Sequence, residues 1–224
     1  MRTLICICAL LVSLSLVPLC SANVIVVSGV GSTIGTAADL TALHPTEIIG
    51  TLSGTDQNDA NVFKIANMLP VDFSAFTRLA GAFGVTDTVL SLFDANGVGI
   101  HMNDDISGAN TMSCLPSPGV SNPCPTSGTL LAAGIYYLAI SRSMNFATDG
   151  NIDIFNTGAS TDLIGAPLAS SNPFAGWDGG AFASPDSDLI NYDIVLAGAA
   201  PEPATWLLLA SAGLGLGILR RRRS

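Results

Sequence analysis

The chain has 224 residues, with 17 acidic against 8 basic side chains and a formal net charge of −9. The ends differ from the middle: residues 23 to 200 hold 16 acids and only Lys64, Arg78 and Arg142 as bases, a net charge of −13. Such a body cannot bind by neutralising phosphates, so no nucleic-acid partner is expected, and its length suffices for one hydrophobic core.

In chain order, residues 1–22 read as a signal peptide. Arg2 is the positive n-region, Leu4 to Val17 the apolar h-region, and Cys20-Ser21-Ala22 the small-residue cleavage site. A lipoprotein signal would need a small residue before Cys20, and Leu19 stands there. Residues 23–46 form a lead-in. In it, "NVIVVSG" (23–29) is a strand or a flexible segment, and "GTAADLTAL" (35–43) is a brief helix. "EIIGTLSG" (47–54) and "NVFKIA" (61–66) flank the polar turn "TDQND", and "FTRLAGAFG" (76–84) alternates imperfectly. "DTVLSLFDANGVGIHMNDD" (87–105) predicts a hairpin. Its strands are Val89–Phe93 and Val98–Met102, joined at Asp94-Ala95-Asn96-Gly97, where Asn and Gly tolerate positive φ.

"GIYYLAIS" (134–141) is apolar on both faces and predicts a central strand, and "NIDIFN" (151–156) a further short one. Residues 157–188, rich in Gly, Ser, Ala, Pro and Asp, read as an insertion: a long loop or small lobe. "LINYDIVLAG" (189–198) alternates, with Ile190, Tyr192, Ile194 and Leu196 opposite Asn191 and Asp193, as a half-buried antiparallel strand does. Seven or eight short strands separated by turns predict an all-β fold, an antiparallel β-sandwich over residues 47–200. Cys6, Cys8 and Cys20 leave with the signal peptide. Cys114 and Cys124 remain, bracketing "LPSPGVSNP", and an even pair in an oxidising compartment predicts a disulfide. Closing so short a loop contributes about 3 kcal/mol at most.

The segments "SGTDQNDANVFKI", "DTVLSLFDANGVGIHMNDD", "GTLLAAGIYYLAIS" and "NYDIVLAG" together resemble the bacterial pre-peptidase C-terminal domain. Asp87, Leu90, Leu92, Phe93, Asp94 and Gly97 match its second element, Asn103, Asp104 and Asp105 its third. Leu131, Ala133, Gly134, Tyr136, Tyr137, Leu138 and Ile140 match its last. The resemblance covers about residues 47 to 198 and implies a jelly-roll-like sandwich used as an accessory or binding module, not a catalyst. The Cys114–Cys124 loop and the 157–188 insertion depart from the family's pattern.

Residues 201–224 resemble the PEP-CTERM sorting signal: Pro201-Glu202-Pro203, an apolar run, then Arg220, Arg221, Arg222 and Arg223. Ala204 to Leu219 would make a transmembrane helix of about 24 Å. That is short for a ~30 Å hydrocarbon core, a mismatch that snorkelling and local thinning cover. Trp206 suits the outer interface, and the arginines stop transfer. The resemblance implies an exported protein held transiently in the inner membrane, processed by an exosortase-type enzyme near the Pro-Glu-Pro triplet, and associated with extracellular polysaccharide or biofilm. The mature cell-surface or matrix form would carry no membrane helix.

Catalytic motifs do not appear: there is no His-Glu-x-x-His, Gly-x-Ser-x-Gly or P-loop, and the chain reads as non-enzymatic. His101 lies near Asp104 and Asp105 but reads as a hairpin histidine. Asp94, Asn96, Asp104 and Asp105 are candidate oxygen ligands for Ca²⁺, against ordinary turn chemistry. Phe174, Trp177 and Phe182, on the Gly-rich "NPFAGWDGGAF", either cap the core edge or form a patch that stacks on sugar rings. The alternative function is a Ca²⁺-dependent or carbohydrate-binding accessory module of an extracellular hydrolytic system.

Overall fold

Period-two alternation dominates the sequence, and the computed structural model answers it with strands. It describes residues 22–52, 59–67, 73–79, 87–115, 132–155, 164–165, 172–179 and 190–197. All belong to one compact unit, Ala22–Ala200. The signal peptide, the sorting tail, Cys124 and Phe182 lie outside the described residues. Among the described residues no helix is long and apolar enough to cross a membrane.

The strands are β1 (Val24–Val26), β2 (Ala38–Asp39), β3 (Glu47–Leu52), β4 (Ala60–Asn67), β5 (Ser74–Arg78), β6 (Thr88–Phe93), β7 (Gly99–Asn103), β8 (Cys114–Leu115), β9 (Gly134–Arg142), β10 (Ala147–Thr148), β11 (Ile164–Gly165), β12 (Gly176–Trp177) and β13 (Ile190–Ala197). One sheet runs β1-β3-β13-β5-β8 and the other β11-β7-β6-β9-β4-β2, with β10 and β12 as a separate pair. The lead-in corrects two expectations. It contributes one strand to each sheet, β1 parallel to β3 and β2 parallel to β4, so both sheets are mixed rather than antiparallel throughout. Its predicted helix is only the 3₁₀ turn Ile34–Thr36. Residues 151–155 form no named strand; Asp153 makes an isolated bridge to Thr148.

The principal core lies between the sheets. Ile48, Leu52, Ala75, Leu115, Tyr192, Ile194 and Leu196 come from the first sheet, and Phe63, Ile65, Leu90, Leu92, Leu138 and Ile140 from the second. The alternation read in 189–198 is thereby confirmed for Tyr192, Ile194 and Leu196. Tyr192 is the largest fully buried side chain among the described residues, and its hydroxyl accepts from Asn61 Nδ2 at 2.7 Å. Position 50 has to be glycine because a Cβ there would collide with that hydroxyl. Burial pushes the Tyr192 phenol far above its ordinary pKa.

A second core covers the opposite face of the six-stranded sheet: Val62, Val89, Phe93, Met102 and Ala139 pack under Ala147, Ile154, Phe155 and Phe174. With both faces covered, every residue of β6 is buried, so "TVLSLF" carries apolar residues of both parities, at Val89, Leu90, Leu92 and Phe93, instead of alternating. Phe174 anchors this layer, with ring centroids 5.2 Å from both Phe93 and Trp177.

Candidate functional site

The β6–β7 hairpin has a closed end and an open end, and the predicted metal ligands divide between them. At the closed end, Asp94 Oδ1 accepts from the Asn96 amide at 2.8 Å and the Val98 amide at 2.9 Å. The Gly97 amide donates to the Asp94 carbonyl at 3.0 Å, and Gly97 takes φ +82°. This is Asx-turn chemistry. The expectation that Asp94 and Asn96 join Asp104 and Asp105 around one cation is therefore corrected. The five residues of β7 stand between them, about 16 Å of strand.

At the open end the hairpin register pairs Leu90 with Asn103, which brings the start of β6 opposite residues 104–106. Asp87 is the residue gathered with Asp104 and Asp105. One ligand oxygen from each of the three carboxylates lies within 4.8 Å of the others. Val89, Phe93 and Met102 pack in the second core, and Asp87 continues the parity of the first two and Asp104 that of the third, so alternation carries these two acids toward one face of the sheet.

A buried polar frame holds the loop in place. Thr88 Oγ1 lies 2.8 Å from Thr77 Oγ1 and 2.7 Å from Ser113 Oγ. The Ser113 hydroxyl also donates to the Thr88 carbonyl and, at 3.0 Å, to the Asp104 carbonyl. Asn103 receives the Cys114 amide on Oδ1 at 2.7 Å and donates from Nδ2 to the Asp105 carbonyl at 3.0 Å. Such satisfied networks fix a single backbone geometry. Cys114 is itself disulfide-bonded, and every other cysteine of the chain lies outside the described residues.

The electrostatics at Asp104 and Asp87 are unfavourable to ionisation. Asp104 is only 8% exposed, and burial, then Asp105, then Asp87 push its pKa up to about 7. Burial raises Asp87 as well; a hydrogen bond from Ser143 and the charge of Arg142 oppose the rise, and Asp105 adds to it. Each of the three carboxylates keeps one buried oxygen, its Oδ1, with no hydrogen-bond partner.

The remaining predicted site residues fall elsewhere. Phe174 is 9% exposed and part of the second core, and Trp177 is half-buried with its indole N–H donating to the Ser32 carbonyl at 2.8 Å. The structure thus places both in core-edge packing, correcting the alternative of a displayed stacking patch, because large aromatic area is better removed from water. His101 is half-buried on β7, and burial lowers its pKa, favouring the neutral ring. Asp87 was missed as a ligand candidate, though the hairpin register was enough to find it. No protein-family model matches the sequence, and no curated protein aligns with it significantly.

Proposed function

We propose that the chain is an exported, non-enzymatic cell-surface or extracellular-matrix protein. Its body is a jelly-roll-like sandwich of the pre-peptidase C-terminal type that associates with extracellular polysaccharide. Its PEP-CTERM-like tail directs export, transient anchoring in the inner membrane and cleavage by an exosortase-type enzyme near Pro201-Glu202-Pro203. One observation carries the reading: a strongly acidic body with a single cysteine pair is set between an h-region with a small-residue cleavage site and an apolar run stopped by four arginines. Three properties support it. The acidic body resists anionic surfaces and stays dispersed. A Cys114–Cys124 disulfide belongs to an oxidising compartment. Four consecutive arginines after an apolar run are too costly to bury in a core.

The test is intact-mass measurement of the protein released by the producing cell, with and without reduction. The expected mass lacks the signal peptide and Trp206 to Ser224 and drops no cysteine to alkylation before reduction. A released protein that retains the tail, or carries two free thiols, overturns the reading. Pull-down of the released form on the producer's own polysaccharide then decides the binding role, and no retention above a bovine albumin control rejects it.

A further inference from the structure

We infer that Asp87, Asp104 and Asp105 form a divalent-cation site, selective for Ca²⁺, that ties the start of β6 to the loop after β7. The inference stands apart from the export reading, since it uses only the geometry of the hairpin's open end.

Two observations carry it. The first is convergence: ligand oxygens of three carboxylates lie within 4.8 Å of one another. The second is the state of Asp104. It is more than nine-tenths buried, its Oδ1 has no hydrogen-bond partner, and its carboxylate faces the other two. A buried carboxylate without a donor carries a large desolvation penalty, and here two more acids share the space. Asp87 and Asp105 also each hold a buried oxygen without a partner. The base that acts on the group, Arg142, acts on Asp87; the charges that act on Asp104 are both negative. A cation between the three oxygens supplies the missing positive charge and satisfies the orphaned oxygens together.

Size and hardness select the ion. Carboxylate oxygens are hard ligands, suited to Ca²⁺ and Mg²⁺ rather than to thiophilic metals. Mg²⁺ demands near-ideal octahedral geometry and gives up its waters reluctantly, whereas Ca²⁺ accepts an irregular shell of oxygens, which suits three carboxylates preset within 4.8 Å of one another. The loop that presents them is fixed, because the carbonyls of Thr88, Asp104 and Asp105 are already engaged by Ser113 and Asn103. Three side-chain ligands, with water completing the shell, place the affinity with extracellular modules, at a Kd of about 10⁻⁴ to 10⁻³ M.

The experiment uses the full-length chain purified in detergent, stripped with chelator and held at constant ionic strength. Calorimetric titration with CaCl₂ is expected to show one saturable site per chain, with MgCl₂ binding at least tenfold more weakly. The melting temperature is expected to climb steadily with the logarithm of Ca²⁺ concentration above Kd. Asp87→Asn and Asp105→Asn each weaken Ca²⁺ binding at least tenfold, while Asp39→Asn, at an exposed acid on β2, leaves it unchanged. Circular dichroism of each stripped variant shows that it is folded before titration. No saturable Ca²⁺ binding by the wild-type chain overturns the inference, as does equal loss in Asp39→Asn, or full binding by folded Asp87→Asn and Asp105→Asn. Binding of Mg²⁺ as tight as Ca²⁺ overturns the selectivity.

Discussion

Two clusters of carboxylates sit in the two sheets, and they meet opposite fates. On β13, Asp193 stands in register with Arg78 of β5, and Glu47 starts the strand on its other side. Arg78 Nε donates to Asp193 Oδ2 at 2.6 Å, and its Nη2 reaches Glu47 Oε1 at 2.9 Å. Cross-strand pairing thus gives two acids one shared base. At the open end of the β6–β7 hairpin the same geometry collects three acids, and the charges bearing on the most buried of them are all negative. Pairing brings side chains together regardless of sign; only composition decides whether the meeting is an ion pair or an unbalanced charge. With three bases in the body against 16 acids, imbalance somewhere is unavoidable, and the fold concentrates part of it at one place.

The sharpest way to break this contrast is at Asp104. In the folded chain its pKa is near 7, whereas an unfolded aspartate titrates near 4. The folded state therefore keeps a proton that the unfolded state loses. In chelator-treated protein that contribution to stability is fully present below about pH 4 and is lost as pH rises toward 7. Asp104→Asn is expected to raise the stability of the stripped protein at pH 7 by about 2 kcal/mol and to flatten its profile between pH 4 and 7, read as urea midpoints. A variant less stable than wild type at pH 7 would show that the carboxylate is compensated after all.

The opposite sign is expected at the paired cluster, where Arg78 serves two acids. Arg78→Met strands Asp193, whose side chain is 9% exposed, but Arg78 itself is half-exposed and screened. The loss should be about 1–2 kcal/mol and should narrow in high salt, measured by urea unfolding at two ionic strengths. At the closed end of the hairpin, Asp94→Ala removes two hydrogen bonds to the turn. It should destabilise by about 1 kcal/mol while leaving the Ca²⁺ titration unchanged, since Asp94 is a turn residue and not a ligand. The smallest effect belongs to the exposed pair Lys64–Asp39, 3.1 Å apart. Hydrogen bonds from Thr41, more than Lys64, hold the Asp39 carboxyl near 2. Lys64→Ala should leave the melting temperature unmoved within error, and an NMR titration should still find Asp39 below the ordinary carboxylate range.

Much of the sheet structure was legible because burial follows alternation. Ile48 and Leu52 in β3, and Tyr192, Ile194 and Leu196 in β13, could be assigned to one face by counting in twos. The extent of β6 was legible for the opposite reason, apolar residues of both parities under two covered faces. The lead-in was harder. "VIV" and "AD" are too short to carry periodicity, and their pairing is parallel and set by tertiary contact. The acidic site was half legible. Proximity in sequence favoured Asp94 and Asn96, whereas an antiparallel hairpin joins residues equidistant from its turn, and that rule selects Asp87. The fate of Phe174 and Trp177 was set by packing across Phe93 and Ser32, contacts of long sequence separation that local composition does not encode.

The strand order of the first sheet has a consequence for how the chain matures. Among the described residues β13 is the last strand in sequence, yet it lies between β3 and β5, bonded to both. Until residue 197 is available, β3 and β5 face each other across a missing strand, each with an unpaired edge of the kind that templates aggregation. The sheet closes by insertion at its centre, a long-range step and hence a slow one. A ribosome delivering this chain N-terminus first releases a body that cannot complete its core until almost the final residues before Pro201 emerge. Any truncation before residue 190 would therefore yield an open, adhesive half-sheet rather than a shorter domain.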